Sequence, residues 1–256
     1  MLILAGLGLY DEQDMTLKTL NFAKKADKIY AEFYTSILTG TSIEKIEEVI
    51  GKKIEILYRE DIENSYKVVE EAKEKDVMLL TAGDPMVATT HIDLVIEAKK
   101  RGIKVIIINA PSIYSAVSIT GLQIYKFGKT ASIVFPEKNY FPETPYNVIK
   151  ENLERGLHTL CLLDIRVEKN EKKFMTANEA LKVLLEIEKK RKEGVINLDT
   201  KAIVLARVGS LEPLIVYGKI RDLIDYNFGK PLHSLIIPGK LHFMEEEALK
   251  YLAINL

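Results

Sequence analysis

The chain has 256 residues, enough for one large or two modest domains with a packed core. Hydrophobic residues make up 47% and charged residues 29%, as in an ordinary soluble globular protein, and a formal net charge of −1 argues against a broad electrostatic grip on nucleic acid. Cys161 is the single cysteine, so no intrachain disulfide forms, and a reducing, cytoplasmic setting is expected.

The amino terminus, MLILAGLG, has neither the basic start nor the long apolar run of a signal peptide. Residues 2–5 read as a buried strand, followed by the glycine loop Gly6-Leu7-Gly8-Leu9. Thr16, or nearby Asp14, is placed to cap a helix reaching about Ala26. Residues 28–33 read as a strand, 43–50 as a short helix and 54–57 as a third strand. Residues 64–74 have helical spacing, with Val68, Val69 and Ala72 inward.

The stretch DVMLLTAGDPMVATTHIDLVI (76–96) organises the first half. Residues 77–80 form an apolar run of strand length, and Ala82-Gly83-Asp84-Pro85 break it with strong turn chemistry. Ile92, Leu94, Val95 and Ile96 then fit the inner face of a helix. A carboxylate is thereby set at the carboxyl edge of a parallel strand, where open α/β sheets bind small ligands. An ordinary βα turn has the same composition, so this stretch alone leaves ligand binding open.

A further strand is expected at 105–108. Residues 105–125 carry no charge, yet Asn109, Pro111, Ser112, Ser115, Ser118, Thr120 and Gln123 make them too polar for a membrane span. Residues 112–120 read as a helix linking two halves. Beyond it, strands are expected at 131–135, 158–164, 202–206, 214–217 and 234–237, and helices at 148–153, 177–192 and 243–252. Pro136, Pro142 and Pro145 punctuate an irregular loop. The charge run at 186–193 reads as a solvated helix face. The fold class is therefore α/β: two α/β domains, 1–111 with a mostly parallel sheet and 112–256 with a mixed one.

The loop Gly6-Leu7-Gly8-Leu9-Tyr10-Asp11 has Asp11 where a dinucleotide fingerprint needs its third glycine, which argues against a nicotinamide enzyme. No lysine-serine pair of a phosphate loop is present, nor a Gly-x-Ser-x-Gly elbow. His91, His158, His233 and His242 are widely spaced and lack cysteine partners at zinc spacing, so each reads as structural before it reads as a ligand. Metal-free chemistry without a covalent intermediate is the default expectation. Three loops that follow strands stand out, at 6–11, 82–87 and 109–113, all at one edge of a parallel sheet.

The segments AGLGLYDEQDMT (5–16), LTAGDPMVATTH (80–91), INAPSIYSAV (108–117), GLQIYKFGKTASIVF (121–135), ENLERGLHTLCLLDI (151–165) and PLHSLIIPGKLHF (231–243) together resemble the diphthine synthase family. That family belongs to the tetrapyrrole-methylase-like class of methyltransferases. The resemblance spans nearly the whole chain and keeps the order of the motifs. It implies S-adenosylmethionine as methyl donor, folded into the cleft between two α/β domains, usually in a homodimer. It implies donor contacts at Leu9, Asp84, Val87, Ser112, Ile113, Leu163, Val208 and His233, and no catalytic nucleophile. The implied substrate is translation elongation factor 2, on which the amine of an aminocarboxypropyl-histidine is methylated repeatedly to give diphthine. A methyltransferase for a tetrapyrrole or another small molecule, and a donor sensor without turnover, are the alternatives.

Overall fold

Alternate side chains of β1 (Leu2–Gly6) enter two different cores: Leu2 and Leu4 one, Ile3 and Ala5 the other. Such two-sided burial marks a central strand of a parallel sheet covered on both faces. The computed structural model describes residues 1–138, 140–168 and 171–256. It divides into two compact units, Met1–Ala116 with Ile165–Lys172, and Val117–Asp164 with Lys173–Leu256.

In the first unit β1 is followed by α1 (Leu17–Ala23), β2 (Lys28–Glu32), α2 (Ile43–Ile50), β3 (Glu55–Leu57), α3 (Arg59–Glu63), α4 (Lys67–Glu71), β4 (Val77–Thr81), α5 (Ile92–Lys100), β5 (Val105–Ile108) and α6 (Ile113–Ala116). The strands pair in the order β3-β2-β4-β1-β5, all parallel, so every strand points its carboxyl end to the same edge. Thr16 caps α1, its hydroxyl accepting the Thr19 amide at 3.0 Å. The expected helix over 64–74 is instead two short ones, because Tyr66 adopts a left-handed backbone with φ +50° and ends the regular turn. Val68, Val69 and Ala72 are buried as expected. On α5, Leu94 and Ala98 are buried, whereas Ile92 and Ile96 are exposed, so the inner face is narrower than the apolar pattern suggests.

In chain order there follow β6 (Ala131–Ile133), α7 (Thr144–Glu154), β7 (Thr159–Leu163), β8 (Ile165–Glu168) and β9 (Glu171–Phe174), which make a two-stranded sheet, α8 (Ala177–Arg191), β10 (Lys201–Ala206), β11 (Leu214–Lys219), α9 (Ile220–Leu223), β12 (His233–Ile237), α10 (Phe243–Leu252) and β13 (Ile254–Asn255). Six of these strands form the second sheet, ordered β13-β11-β10-β12-β7-β6. It is mixed: β6 with β7 and β11 with β13 are parallel, while the pairings around β10 and β12 are antiparallel. Pro145 lies in the first turn of α7 rather than in a loop, a position where its missing amide hydrogen costs nothing. The uncharged stretch at 105–125 is split among β5, α6 and short 3₁₀ turns, and no helix among the described residues is long and apolar enough to cross a membrane.

Candidate functional site

At the carboxyl edge of the first sheet, the loops after β1, β4 and β5 are tied together by backbone and by one carboxylate. Leu7 donates its amide to Thr81 O at 2.8 Å, and Gly8 and Gly83 exchange amide hydrogen bonds across an isolated bridge. Asp84 is 5% exposed. Its Oδ1 accepts the Met86 amide at 2.9 Å, and its Oδ2 accepts Asn109 Nδ2 and the Ala110 amide, each at 3.0 Å. The residue thus clamps the ends of β4 and β5 together. Val87 sits one turn on, its amide donating to Asp84 O at 3.2 Å.

Glycine is required here by close approach. A Cβ on Gly6 would lie 2.3 Å from Gly83 O and 2.5 Å from the Ala110 Cβ. Gly83 itself has φ +75°, with nothing within 4 Å of where its Cβ would stand, so bare backbone faces open space. That opening leaves the Gly83 backbone free for close approach by a ligand. Leu9 is fixed from below: its amide and that of Tyr10 donate to Asp14 Oδ2 at 3.0 and 2.7 Å. Ser112, 8% exposed, starts α6, its carbonyl accepting the Ala116 amide at 2.9 Å, and Ile113 follows half-buried. Leu9, Asp84, Val87, Ser112 and Ile113 therefore sit on three neighbouring loops of one sheet edge.

Leu163, Val208 and His233 belong to the second unit. Leu163 ends β7, and His233 opens β12 opposite Ala206 at the end of β10. Val208 follows Arg207, whose left-handed backbone (φ +53°) is held by its amide on Leu232 O at 3.1 Å. The Arg207 guanidinium also donates to Phe228 O at 2.8 Å and Lys230 O at 3.1 Å. The His233 ring is committed at both nitrogens: Nδ1 accepts the Ala177 amide at 3.3 Å, and Nε2–H donates to Lys230 O at 3.2 Å. Burial also lowers its pKa, so the ring stays neutral and is a spacer rather than a free base.

The sequence pointed to Asp84 and the loops; it offered Asp14 only as an alternative helix cap and Asn109 only as the start of the 109–113 loop, and passed over Arg207. These act across turns or between strands, where sequence spacing gives no signal. A cavity of about 520 Å³ of mixed lining, including Phe33, Leu38, Ile56, Thr41, Glu44 and Lys172, shares none of the motif-matching positions. Among the described residues no cluster of three His, Cys, Asp or Glu side chains has the arrangement of a metal centre.

Comparison with known proteins decides the affiliation. The sequence profile of the Tetrapyrrole (Corrin/Porphyrin) Methylases matches residues 1–224. Diphthine synthase of Methanocaldococcus jannaschii is 78% identical, and that of Methanococcus aeolicus 70% identical, each over the whole of this chain and 100% and 99% of its own. The chain belongs to the diphthine synthase family. A crystal structure of a diphthine synthase superimposes with a TM-score of 0.89 at 40% identity, covering 100% of this chain and 96% of its own. Members of the diphthine synthase family are S-adenosylmethionine-dependent methyltransferases, and this chain is an enzyme of that kind. The α/β class, the parallel first sheet and the mixed second sheet agree with the sequence expectation.

Proposed function

We propose that the chain methylates, repeatedly, the amino group of the 2-(3-amino-3-carboxypropyl)histidine on translation elongation factor 2, giving diphthine. The observation that carries this reading is end-to-end similarity, at 78% identity, to a protein named diphthine synthase. The donor contacts are offered by Leu9, Asp84, Val87, Ser112 and Ile113 in the first unit and by Leu163, Val208 and His233 in the second. S-adenosylmethionine, when bound, supplies a methyl group already activated on sulfonium. The protein's work is then alignment and exclusion of water. Good alignment of two reactants is worth roughly 7–11 kcal/mol.

No dedicated base is required. An α-amino group with a pKa near 8 is about one-tenth neutral at pH 7, so reaching the reactive form costs about 1.4 kcal/mol. This accords with His158 and His233, both of whose ring nitrogens are engaged within the protein: His158 accepts the Gly239 amide at Nδ1 and lies 3.0 Å from Glu245 at Nε2.

The working form is a cytoplasmic homodimer, with no nucleic acid or membrane as partner. Tyr125, Tyr251 and Phe243 in the second unit, 81%, 73% and 67% exposed, offer apolar surface of the kind that marks interfaces. Phe141, in contrast, packs against its own unit's core beneath Lys190. The reading is tested by following S-adenosylhomocysteine release with elongation factor 2 as acceptor. Release that requires the aminocarboxypropyl group supports it. Release that is indifferent to that group, or faster with a tetrapyrrole, overturns it.

A further inference from the structure

Beneath the 84–87 loop, in the first unit, lies a buried acid–imidazole pair that the donor contacts do not use. Glu32 is the last residue of β2, in register with Thr81 at the end of β4, and is 0% exposed. Its Oε2 accepts the Tyr34 and Thr35 amides at 3.1 and 3.2 Å, and its Oε1 accepts the Thr35 hydroxyl at 2.6 Å. His91, also 0% exposed, immediately precedes α5. Its Nδ1 stands 3.0 Å from the Pro85 carbonyl oxygen. A carbonyl only accepts, so Nδ1 carries the hydrogen and Nε2 is the titrating atom. That Nε2 has no hydrogen-bond partner among the described residues and lies 3.6 Å from Glu32 Oε1.

The unpartnered Nε2 lone pair facing a carboxylate oxygen in a dry interior is repulsive, even with the Thr35 hydroxyl donating to that oxygen. One proton held by the pair removes the conflict, whether as carboxylic acid against imidazole or as imidazolium against carboxylate. We propose that His91 and Glu32 are positioning residues for the 84–87 loop: the imidazole anchors the loop through Pro85, and one proton shared with Glu32 keeps the ring in place. The proposal rests on the reading of that loop as part of the donor site.

The surroundings set the direction of the response. Burial pushes the Glu32 carboxyl up to about 7 and pushes the His91 imidazolium down, so the neutral acid facing a neutral ring is the preferred form. Across from them on α3, Glu63 accepts the Thr90 hydroxyl at 3.2 Å and stands 3.9 Å from Arg59. The Arg59 guanidinium lies 5.2 Å from the centre of the Tyr34 ring, and burial keeps the Tyr34 phenol protonated. Among the described residues no Lys or Arg pairs with Glu32, so loss of the shared proton leaves a buried negative charge against the His91 lone pair and loosens the anchor on Pro85. Donor binding to the ordered loop is therefore favoured on the acid side of neutrality.

The test is calorimetric titration of S-adenosylmethionine into the full-length wild type, Glu32→Gln, His91→Phe and Asp84→Ala proteins from about pH 6 to about pH 8.5. The glutamine amide keeps an acceptor for the Tyr34 and Thr35 amides and presents hydrogens to His91 at every pH. The wild type and Glu32→Gln affinities are expected to agree at pH 6. The variant is expected to bind about tenfold more tightly at pH 8.5, the factor given by a one-unit difference in proton affinity. Taking their ratio cancels the titration of the donor's own amine. His91→Phe is expected to bind weakly throughout, and ¹⁵N spectra of the wild type to show Nδ1 protonated at all pH values. A ratio that stays constant with pH, or an unprotonated Nδ1, overturns the proposal. If Asp84→Ala meanwhile weakens binding, the donor-site reading survives that failure; if a folded Asp84→Ala binds as the wild type does, both fall.

Discussion

Asp84 Oδ2 accepts the Ala110 amide at 3.0 Å, so a single carboxylate fastens the loop after β4 to the loop after β5. Replacing Asp84 with alanine strands three donors, the Met86 and Ala110 amides and Asn109 Nδ2. A hydrogen bond to a charged group contributes about 1.5–3 kcal/mol, and donor affinity is expected to fall by that order while the fold persists. Calorimetry paired with a thermal melt checks this, and unchanged affinity in a folded variant would contradict it.

Gly6→Ala is expected to act on the same edge by sterics alone. The added methyl would lie 2.3 Å from the Gly83 carbonyl oxygen, a backbone atom without a rotamer to yield. Overpacking of this kind costs about 1–3 kcal/mol, and here it would also part the loops that carry Leu9 and Asp84. The variant should melt earlier and bind S-adenosylmethionine more weakly. A wild-type melting temperature would show that the loops have room the structure does not reveal.

Much of this edge was legible in the sequence because its signals are local. Gly6 and Gly83 mark sharp turns after strands, and the 3.6-residue spacing gave α2 and α10 their bounds. What was not legible depends on residues distant in the chain. Asn109 meets Asp84 only because β5 and β4 both flank β1, and His91 meets Glu32 only because β2 pairs with β4. The strand pair β8–β9 escaped because its apolar alternation is confined to Ile165 and Val167 and the rest of the stretch is dominated by charge. Ile92 and Ile96 look inward by spacing and are exposed, since spacing defines a helix's stripe but not how much of it a neighbour covers.

Glu245 contributes to the pH dependence of the second unit. Its buried carboxylate accepts the Gln123 and His242 amides at 2.9 and 2.7 Å and pairs with Lys126 and His158. Burial alone would raise its pKa, but these donors outweigh burial and bring it down from 4.5 to about 2. A depressed carboxyl stabilises the fold above its unfolded value, so this contribution is present above about 4.5 and lost as pH falls toward about 2. Glu245→Ala, which strands the Gln123 and His242 amides and leaves Lys126 without its carboxylate, is expected to cost about 1–3 kcal/mol at neutral pH. Denaturant melts at neutral and acid pH check both points: the gap between wild type and variant should close in acid, and a gap independent of pH would refute the assignment.

The proposed dimer predicts a mass twice that of the chain in light scattering at micromolar concentration. Replacing Tyr125 and Tyr251 together with glutamate should shift it toward the monomer without unfolding the unit, because both side chains are exposed in the single chain. A monomer mass for the wild type over a wide concentration range would contradict the dimer.

The central claim is methyl transfer to the amine of the modified histidine, and mass spectrometry of the acceptor reads it most directly. Elongation factor 2 carrying the aminocarboxypropyl group, and the same factor lacking it, would each be incubated with the protein and S-adenosylmethionine. The account predicts a stepwise gain of methyl groups on the pre-modified factor, located by fragmentation to the amine of that side chain, and none on the unmodified factor. Methyl groups appearing equally on both forms, or on neither while the enzyme binds its donor, would contradict it.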